Sequence, residues 1–255
     1  MRCLYSKRGI DYQQAYSGHY ANLSFRKDEA RMILASKGGD LSGFGRPAIT
    51  FGNTEKLLPA FKKLAKDKAV WYMDYLESGA DCISKYLLGR GDKGVPFYTQ
   101  LIDLTRSEDN LHADMRKSYR NLKNQRSAFV HISRDSVYGL RDLHIQVCGR
   151  ETRPIETWNI QADMVESGEA FVVANGDWTS AGLFIYDETM CYYGVGKSLE
   201  GAASQPVLWR AILHAKEIGC REFEMGQTYD GTGYGEFKRG FGGTTNIRLE
   251  FGRPV

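Results

Sequence analysis

Apolar and polar positions along the chain switch repeatedly between a two-residue and a three-to-four-residue period, the mark of strands alternating with helices. Runs at 21–25 and 31–35 predict two short strands, and Gly38-Gly39-Asp40 supplies a turn before a third at 47–51. Asn53 and Thr54 open a helix at 55–66, where Leu57, Leu58, Phe61, Leu64 and Ala65 form one stripe. An aromatic-dense run at 70–76 fits a buried strand; Ser78 suits the N-cap of a helix reaching Leu88, with Gly89 at its end. A strand at 96–104 leads into one long helix. Leu111, Met115, Tyr119 and Leu122 share its apolar face, and Arg116, Lys117, Arg120, Lys123 and Arg126 make a basic edge.

The pattern begins again near residue 126. Helices at 136–148 and 154–166 precede strand-like runs at 169–174, 181–186 and 190–195, separated by Asn175-Gly176-Asp177 and Asp187-Glu188. A helix at 205–218 follows, with Ser204 placed to cap it, Pro206 in its first turn and Gly219 at its end. A strand at 221–225, a glycine-rich loop and a last strand at 244–251 complete an order that predicts an α+β fold around a mixed sheet flanked by helices.

Composition narrows the field. With 255 residues, 42% of them hydrophobic and 25% charged, the chain can bury a real core, and wholesale disorder is excluded. A balance of 34 basic to 31 acidic residues does not suit nucleic-acid coating, but it leaves room for a local basic patch. No apolar run is long enough for a membrane-spanning helix, and the N-terminus has no signal-peptide pattern, so a cytoplasmic protein is expected. Cys3, Cys82, Cys148, Cys191 and Cys220 are scattered without a CxxC pair, which points to reduced, mostly buried thiols and no metal site. His19, His112, His131, His144 and His214 stand apart from catalytic partners, and the Arg90-Gly91-Asp92 tripeptide reads as a surface turn.

No GxGxxG follows a first strand, and GxxxxGK[ST], HExxH and GxSxG are missing, so nucleotide hydrolysis, zinc proteolysis and serine-esterase chemistry have no support in the sequence. The informative region is the last seventy or so residues. Cys191-Tyr192-Tyr193-Gly194-Val195-Gly196-Lys197-Ser198 ends a strand and runs through Gly201 to the helix at Ser204. Such a connection offers free N–H groups to a phosphate or an oxyanion, and it is equally the form of a plain strand-to-helix link. Gly235-Glu236-Phe237-Lys238-Arg239-Gly240-Phe241-Gly242-Gly243 holds two cations between phenylalanines and glycines. That suits close approach to an anion; a basic turn before an edge strand is the plainer reading.

Taken in order, these elements resemble the FemAB-type, FemX-like branch of the GNAT-like acyltransferases. The segments that carry the likeness are PFYTQLIDLTRSEDNLHADMRKSYRNL, RETRPIETWNIQADMVESGEAFVV, SAGLFIYDETMCYYGVGKS, PVLWRAILHAKEIGCREFEMG and, most specifically, GYGEFKRGFGG, and the resemblance covers about residues 70–255. The resemblance implies two GNAT-like units, an abbreviated one at 1–125 and a fuller, catalytic one at 126–255. The chain stops about a dozen residues after Gly243, so the family's C-terminal return to the first domain is not expected.

The resemblance further implies an N-acyltransferase that moves an acyl group onto an amine of a peptidoglycan or polysaccharide precursor. It implies no tightly bound cofactor, aminoacyl-tRNA or acyl-CoA as the donor, and peripheral contact with envelope precursors. Phe237 and Lys238 match the family's Phe-Lys pair, where the lysine is associated with charge at the reacting carbonyl. Glu224, Asp230 and Glu236 are the neighbouring carboxylates, and Glu224 joins Phe237 and Lys238 as a candidate catalytic residue. Tyr193, Gly196, Ser198, Gly201, Ser204 and Arg239 are candidates for the donor and its phosphates; Arg116, Arg120 and Lys123 for the acceptor or a nucleic-acid backbone. That basic edge also reads as a solvated face offset by Glu108, Asp109 and Asp114. Ser198-Leu199-Glu200-Gly201-Ala202-Ala203 lies where CoA-using GNAT enzymes carry Q/R-x-x-G-x-G/A. Its serine at the first position favours the tRNA donor and keeps acetyl-CoA-dependent N-acetylation of a nucleotide-linked amino sugar as the alternative.

Overall fold

A computed structural model describes residues 6–17, 22–27, 29–37, 39–43, 47–124, 127–201, 203–228 and 233–252; Cys3, His19, Arg126, Ala202 and Asp230 lie outside them. The first part of the chain forms α1 (Lys7–Ser17), β1 (Asn22–Lys27), β2 (Ala30–Lys37), β3 (Asp40–Ser42), β4 (Ala48–Phe51), α2 (Leu58–Ala65), β5 (Tyr72–Asp74), α3 (Cys82–Arg90), β6 (Gly94–Asp103) and α4 (Glu108–Ala113). The remainder forms β7 (Ala128–His131), α5 (Arg134–Cys148), α6 (Ile155–Glu166), β8 (Ala170–Asn175), β9 (Ser180–Tyr186), β10 (Met190–Ser198), α7 (Gln205–Glu217), β11 (Glu222–Thr228), α8 (Gly233–Arg239) and β12 (Thr244–Phe251). Short 3-10 turns lie at Thr54–Lys56 and Lys117–Asn124. Parallel and antiparallel pairs both occur, so the sheet is mixed and the fold is α+β.

By compactness the chain divides into Met1–Tyr12 with Thr99–Asn246, and Gln13–Tyr98 with Ile247–Val255. These bounds differ from a division at 125/126, and the segment 99–124 shows why. Ile102, Leu104, Leu111, Met115 and Leu122 are buried in the same core as Phe184, Phe223 and Phe241.

In the larger unit β7, β8, β9 and β10 form an antiparallel meander, and β11 joins β10 in parallel with β6 beyond it. Phe171, Val173 and Phe184 share a core with Val207, Leu208 and Ile212 of α7. The alternate residues Val172, Leu183 and Ile185 are equally buried, so β8 and β9 are covered on both faces and lose the usual in–out alternation.

The smaller unit is ordered β1-β2-β4-β5-β12, with β3 on β2. Leu249–Phe251 pair antiparallel with Tyr72–Asp74, so the chain's last strand does return to this unit, contrary to the expectation from its length. The full burial of Phe251 beside Tyr72, Phe61 and Leu87 gives the reason, because that core takes a side chain from the last strand.

Three local expectations need correction. Residues 108–124 are not one helix: the Arg116 amide bonds to Gly240 O at 2.9 Å instead of continuing the helical ladder, and the chain tightens into a 3-10 turn. Ser78 does not cap α3; Asp81 does, accepting from Ser84 N at 2.7 Å, and Gly91 rather than Gly89 ends the helix in a left-handed conformation. Ser204 stands at the start of α7, but it has helical backbone angles and its side chain makes no capping bond.

Candidate active site

An extra residue in β10 opens the site. The register against β9 shifts between Tyr193 and Val195, which leaves Gly194 as a bulge that bends the strand. The parallel ladder with β11 covers Met190↔Glu222 to Tyr192↔Glu224, and both strands run on past it, to Ser198 and Thr228. Beyond Tyr192 and Glu224 the two strands therefore present backbone groups outside their shared ladder.

Tyr193 and Gly196 are brought together on β10. A Cβ on Gly196 would fall on the Tyr193 hydroxyl, so glycine is what lets that ring lie back along its own strand. The ring stacks on Phe184 with centroids 5.3 Å apart, and burial pushes its hydroxyl up to about 12. Ser198 shares a hydrogen bond with Ser180 at 2.7 Å, and Gly201 has φ +76 with open space around it. The connection from β10 to α7 thus keeps room at Gly201, while Ser198 is already engaged.

Across from β10, the glycine-rich segment forms α8 rather than a loop. Gly240 leaves space for the Tyr119 ring, which a Cβ there would strike, and Gly242 and Gly243 take positive φ where the backbone meets Asp114 and Leu101. Gln100 donates to Gly242 O and accepts from Thr245 at 2.8 Å. Phe237 and Phe241 pack edge-on at 5.5 Å, each against Tyr119. Phe237 is an anchor that fixes α8, which places Lys238 on the side facing β11.

Lys238 Nζ donates to the carbonyls of Gly226 and Gln227 at 3.2 and 3.0 Å. Burial pulls its pKa down to about 8, and the charge of Glu224 works in the opposite direction. Glu224 is almost wholly buried on β11, at the last rung of the ladder. Gly226 has φ +72 and lies close to both the Tyr192 ring and Lys238 Nζ. The sequence singled out Lys238 and Glu224, but not Gly226 and Gln227, whose carbonyls orient the ammonium; a glycine ending the strand was the one available signal.

Arg116 and Arg239 also converge. Glu236 accepts from Arg116 at 2.7 Å and from Arg239 at 2.5 Å, and these bonds hold its pKa below the ordinary value. A carboxylate held in this way is a poor proton acceptor. Arg120 turns back onto the carbonyls of Ala113 and Met115, so its guanidinium caps its own segment. Lys123 lies in the 3-10 turn, its side chain outside the described set.

Elsewhere the polar residues have local roles. Among the described residues, Cys82, Cys148, Cys191 and Cys220 are thiols that take part in no disulfide. His112 meets Arg120 O, His131 lies against Trp178, and His214 pairs with Glu217. Arg90 folds onto Asp92. Among the described residues, no cluster of His, Cys, Asp or Glu is arranged to hold a metal, and no helix is long and apolar enough to cross a membrane.

The fold that holds this bulged strand, its parallel partner and the helix that joins them is GNAT-like, as the likeness to solved structures shows. Among solved structures the chain is similar to FemX, at TM-score 0.65 and 14% identity over 93% of this chain and 90% of that one. It is also similar to the C-terminal domain of a putative lysylphosphatidylglycerol synthetase from Agrobacterium fabrum, at 0.59 and 12% over 100% and 92%. A GCN5-related N-acetyltransferase from Sphaerobacter thermophilus aligns at 0.51 and 13% over 87% and 75%. No family model and no curated protein matches the sequence.

Proposed function

We propose that the protein is an N-acyltransferase that moves an acyl group from an anionic carrier to an amine on a cell-envelope precursor. One observation carries this reading: in a FemX-like fold, the ammonium of Lys238 is fixed on two main-chain carbonyls where β10 and β11 leave their ladder. Attack of the amine on an ester or thioester forms the C–N bond and puts negative charge on the carbonyl oxygen. Collapse breaks the C–O or C–S bond, and the proton lost by the amine goes to the leaving hydroxyl or thiol. A preorganised cation lowers the energy of that oxyanion without rearranging during the reaction. Glu224 favours the charged form of Lys238 from within the sheet. Phe237 holds α8 in place, and Tyr193, protonated at all ordinary pH values, is a hydrogen-bond donor to the reacting groups.

Aminoacyl-tRNA is the preferred donor, supported by the FemX likeness and by the likeness to a protein named for a lysyl-lipid product. Acetyl-CoA is the second reading, favoured by the N-acetyltransferase neighbour. Gly196, Ser198, Gly201 and Ser204 would line the donor's path toward the start of α7, Arg239 would meet its phosphates, and Arg116 would face the nucleic acid or acceptor. On this reading residues 1–125 and 126–255 correspond to two GNAT-like units.

The test is transfer from charged tRNA and from acetyl-CoA to amine-bearing envelope precursors. Lys238→Ala should reduce turnover by about 10²–10³ with the fold retained. Undiminished turnover would sink the assignment. Saturable binding of coenzyme A at micromolar concentration, with none of tRNA, would replace the donor.

A further inference from the structure

The carboxylate of Glu236 sits between two guanidiniums and gives one oxygen to each: Oε2 to Arg116 at 2.7 Å and Oε1 to Arg239 at 2.5 Å. Each arginine has an anchor of its own. The Arg116 amide bonds to Gly240 O, and its guanidinium lies over the Tyr119 ring at 5.9 Å from the centroid. Arg239 closes α8 directly after Lys238. All three charged side chains reach solvent, at 44% exposure for Arg116, 58% for Glu236 and 34% for Arg239.

Each arginine gives one nitrogen to the carboxylate, and Arg116 donates also to the Glu236 main-chain oxygen at 3.2 Å. A guanidinium carries more N–H donors than one carboxylate oxygen takes up, and a phosphate can draw on them with its further oxygens. A phosphate offers the same two oxygens, with more charge or further acceptors. Exposed ion pairs of this kind are weak and screened by salt, so the carboxylate keeps both forks ordered at little cost to a stronger anion that replaces it.

We propose that Arg116 and Arg239 form a clamp for one phosphate of the donor's carrier, and that Glu236 occupies this clamp until the phosphate displaces it. The inference deepens the acyl-transfer reading and rests on it for the identity of the carrier. Its substrate class is a phosphodiester or pyrophosphate, as found in the acceptor end of a tRNA and in coenzyme A. Glu236 acts here as a competitor that excludes weaker anions such as free carboxylates.

A strut and a competitor predict opposite signs, which the test exploits. Deacylated tRNA, coenzyme A and inorganic pyrophosphate are titrated separately into the wild type, Glu236→Gln, Glu236→Ala, Arg116→Ala and Arg239→Ala, each checked by thermal melting. The probe that binds identifies the carrier. Glu236→Gln and Glu236→Ala should bind it about three- to tenfold more tightly, as expected when two exposed ion pairs no longer compete. Arg116→Ala and Arg239→Ala should each weaken binding, and with tRNA each should lower the slope of log affinity against log salt by about one. Equal or weaker binding by both Glu236 variants overturns the proposal, as does undiminished binding by both arginine variants. Neither result touches the acyl-transfer reading, which is decided by the turnover of Lys238→Ala. If none of the three probes binds saturably, the clamp and the anionic carrier both fall.

Discussion

Lys238 Nζ lies 3.0 Å from the carbonyl oxygen of Gln227, with Gly226 O at 3.2 Å on the same ammonium. Both acceptors belong to β11, the strand that carries Glu224, so one interior strand supplies the hydrogen bonds and the countercharge of the site's cation. Burial outweighs the charge of Glu224, and the pKa of the ammonium settles near 8.

That value sets a pH limb. If the ammonium stabilises the oxyanion, transfer should decline as pH rises through about 8, where Lys238 gives up its proton. A Lys238→Arg enzyme keeps a cation far above that pH, so its remaining activity should lose the decline. A pH–rate profile for both forms decides the matter; a decline that persists in the arginine variant would assign it to another group.

His144 predicts acid sensitivity of the fold. Burial, helped by Arg153 and Lys197, drops its pKa from 6.5 to about 4, so the native state takes up this proton less readily than the unfolded chain. The native state's advantage is full above about pH 6.5 and shrinks as pH falls toward 4. Melting temperatures of the wild type and His144→Gln, followed from pH 7.5 to about 4, should converge on acidification. Parallel curves would contradict the shift.

Two glycines of α8's C-terminal run should respond differently to alanine. At Gly240 the new methyl meets the Tyr119 ring, a side chain, so Gly240→Ala should cost about 1–3 kcal/mol and be partly rescued by Tyr119→Leu. At Gly243 it meets the Leu101 carbonyl at φ +79, and no side-chain truncation can relieve that. Denaturant unfolding of Gly243→Ala with and without Ile102→Val should show no rescue.

Asp81 joins two roles in one carboxylate. It caps α3 through Ser84 N at 2.7 Å and accepts from the Tyr72 hydroxyl at 2.5 Å. Asp81→Ala removes the cap and one of the two partners of the buried Tyr72 hydroxyl, which keeps Thr50 Oγ1 at 2.9 Å, so a loss of about 1–3 kcal/mol in chemical denaturation is expected. Tyr72→Phe alone should lose much less, because the cap survives.

Much of the architecture could be read from the chain where a local pattern and its packing agree. β12 falls at the expected residues because Thr244–Phe251 combines β-branched and apolar positions after paired glycines. α7 follows from its stripe of Val207, Leu208, Ala211, Ile212 and Ala215, all buried. α1 carries no such signal, since its first turn has no acidic residue and its apolar positions are few. α8 has the local pattern of a loop, because Gly233, Gly235 and Gly240 mask a helix of seven residues that is held by the Tyr119–Phe237–Phe241 cluster. The break after α4 depends on a single bond from Arg116 to Gly240, more than a hundred residues on, which no local pattern can announce. The same limit applies to the site. Lys238, Glu224, Arg116 and Arg239 are all legible in the sequence, whereas Glu236 stands there only among carboxylates available as a base. Its place between two arginines depends on tertiary register.

The Gly194 bulge has a consequence for change over time. The residue opposite Val195 is Leu183, the neighbour of the Phe184 that lies opposite Tyr193, so the pairing resumes in step once Gly194 is passed. Loss of Gly194 would leave Val195 to Ser198 opposite the same residues of β9 and on the same faces, and would take out only the local bend. An insertion or loss within the paired stretches does the reverse, because it slips the register and exchanges the two faces. The bulge is thus the one place described in this strand where its length can change while the side chains it turns to either face stay the same.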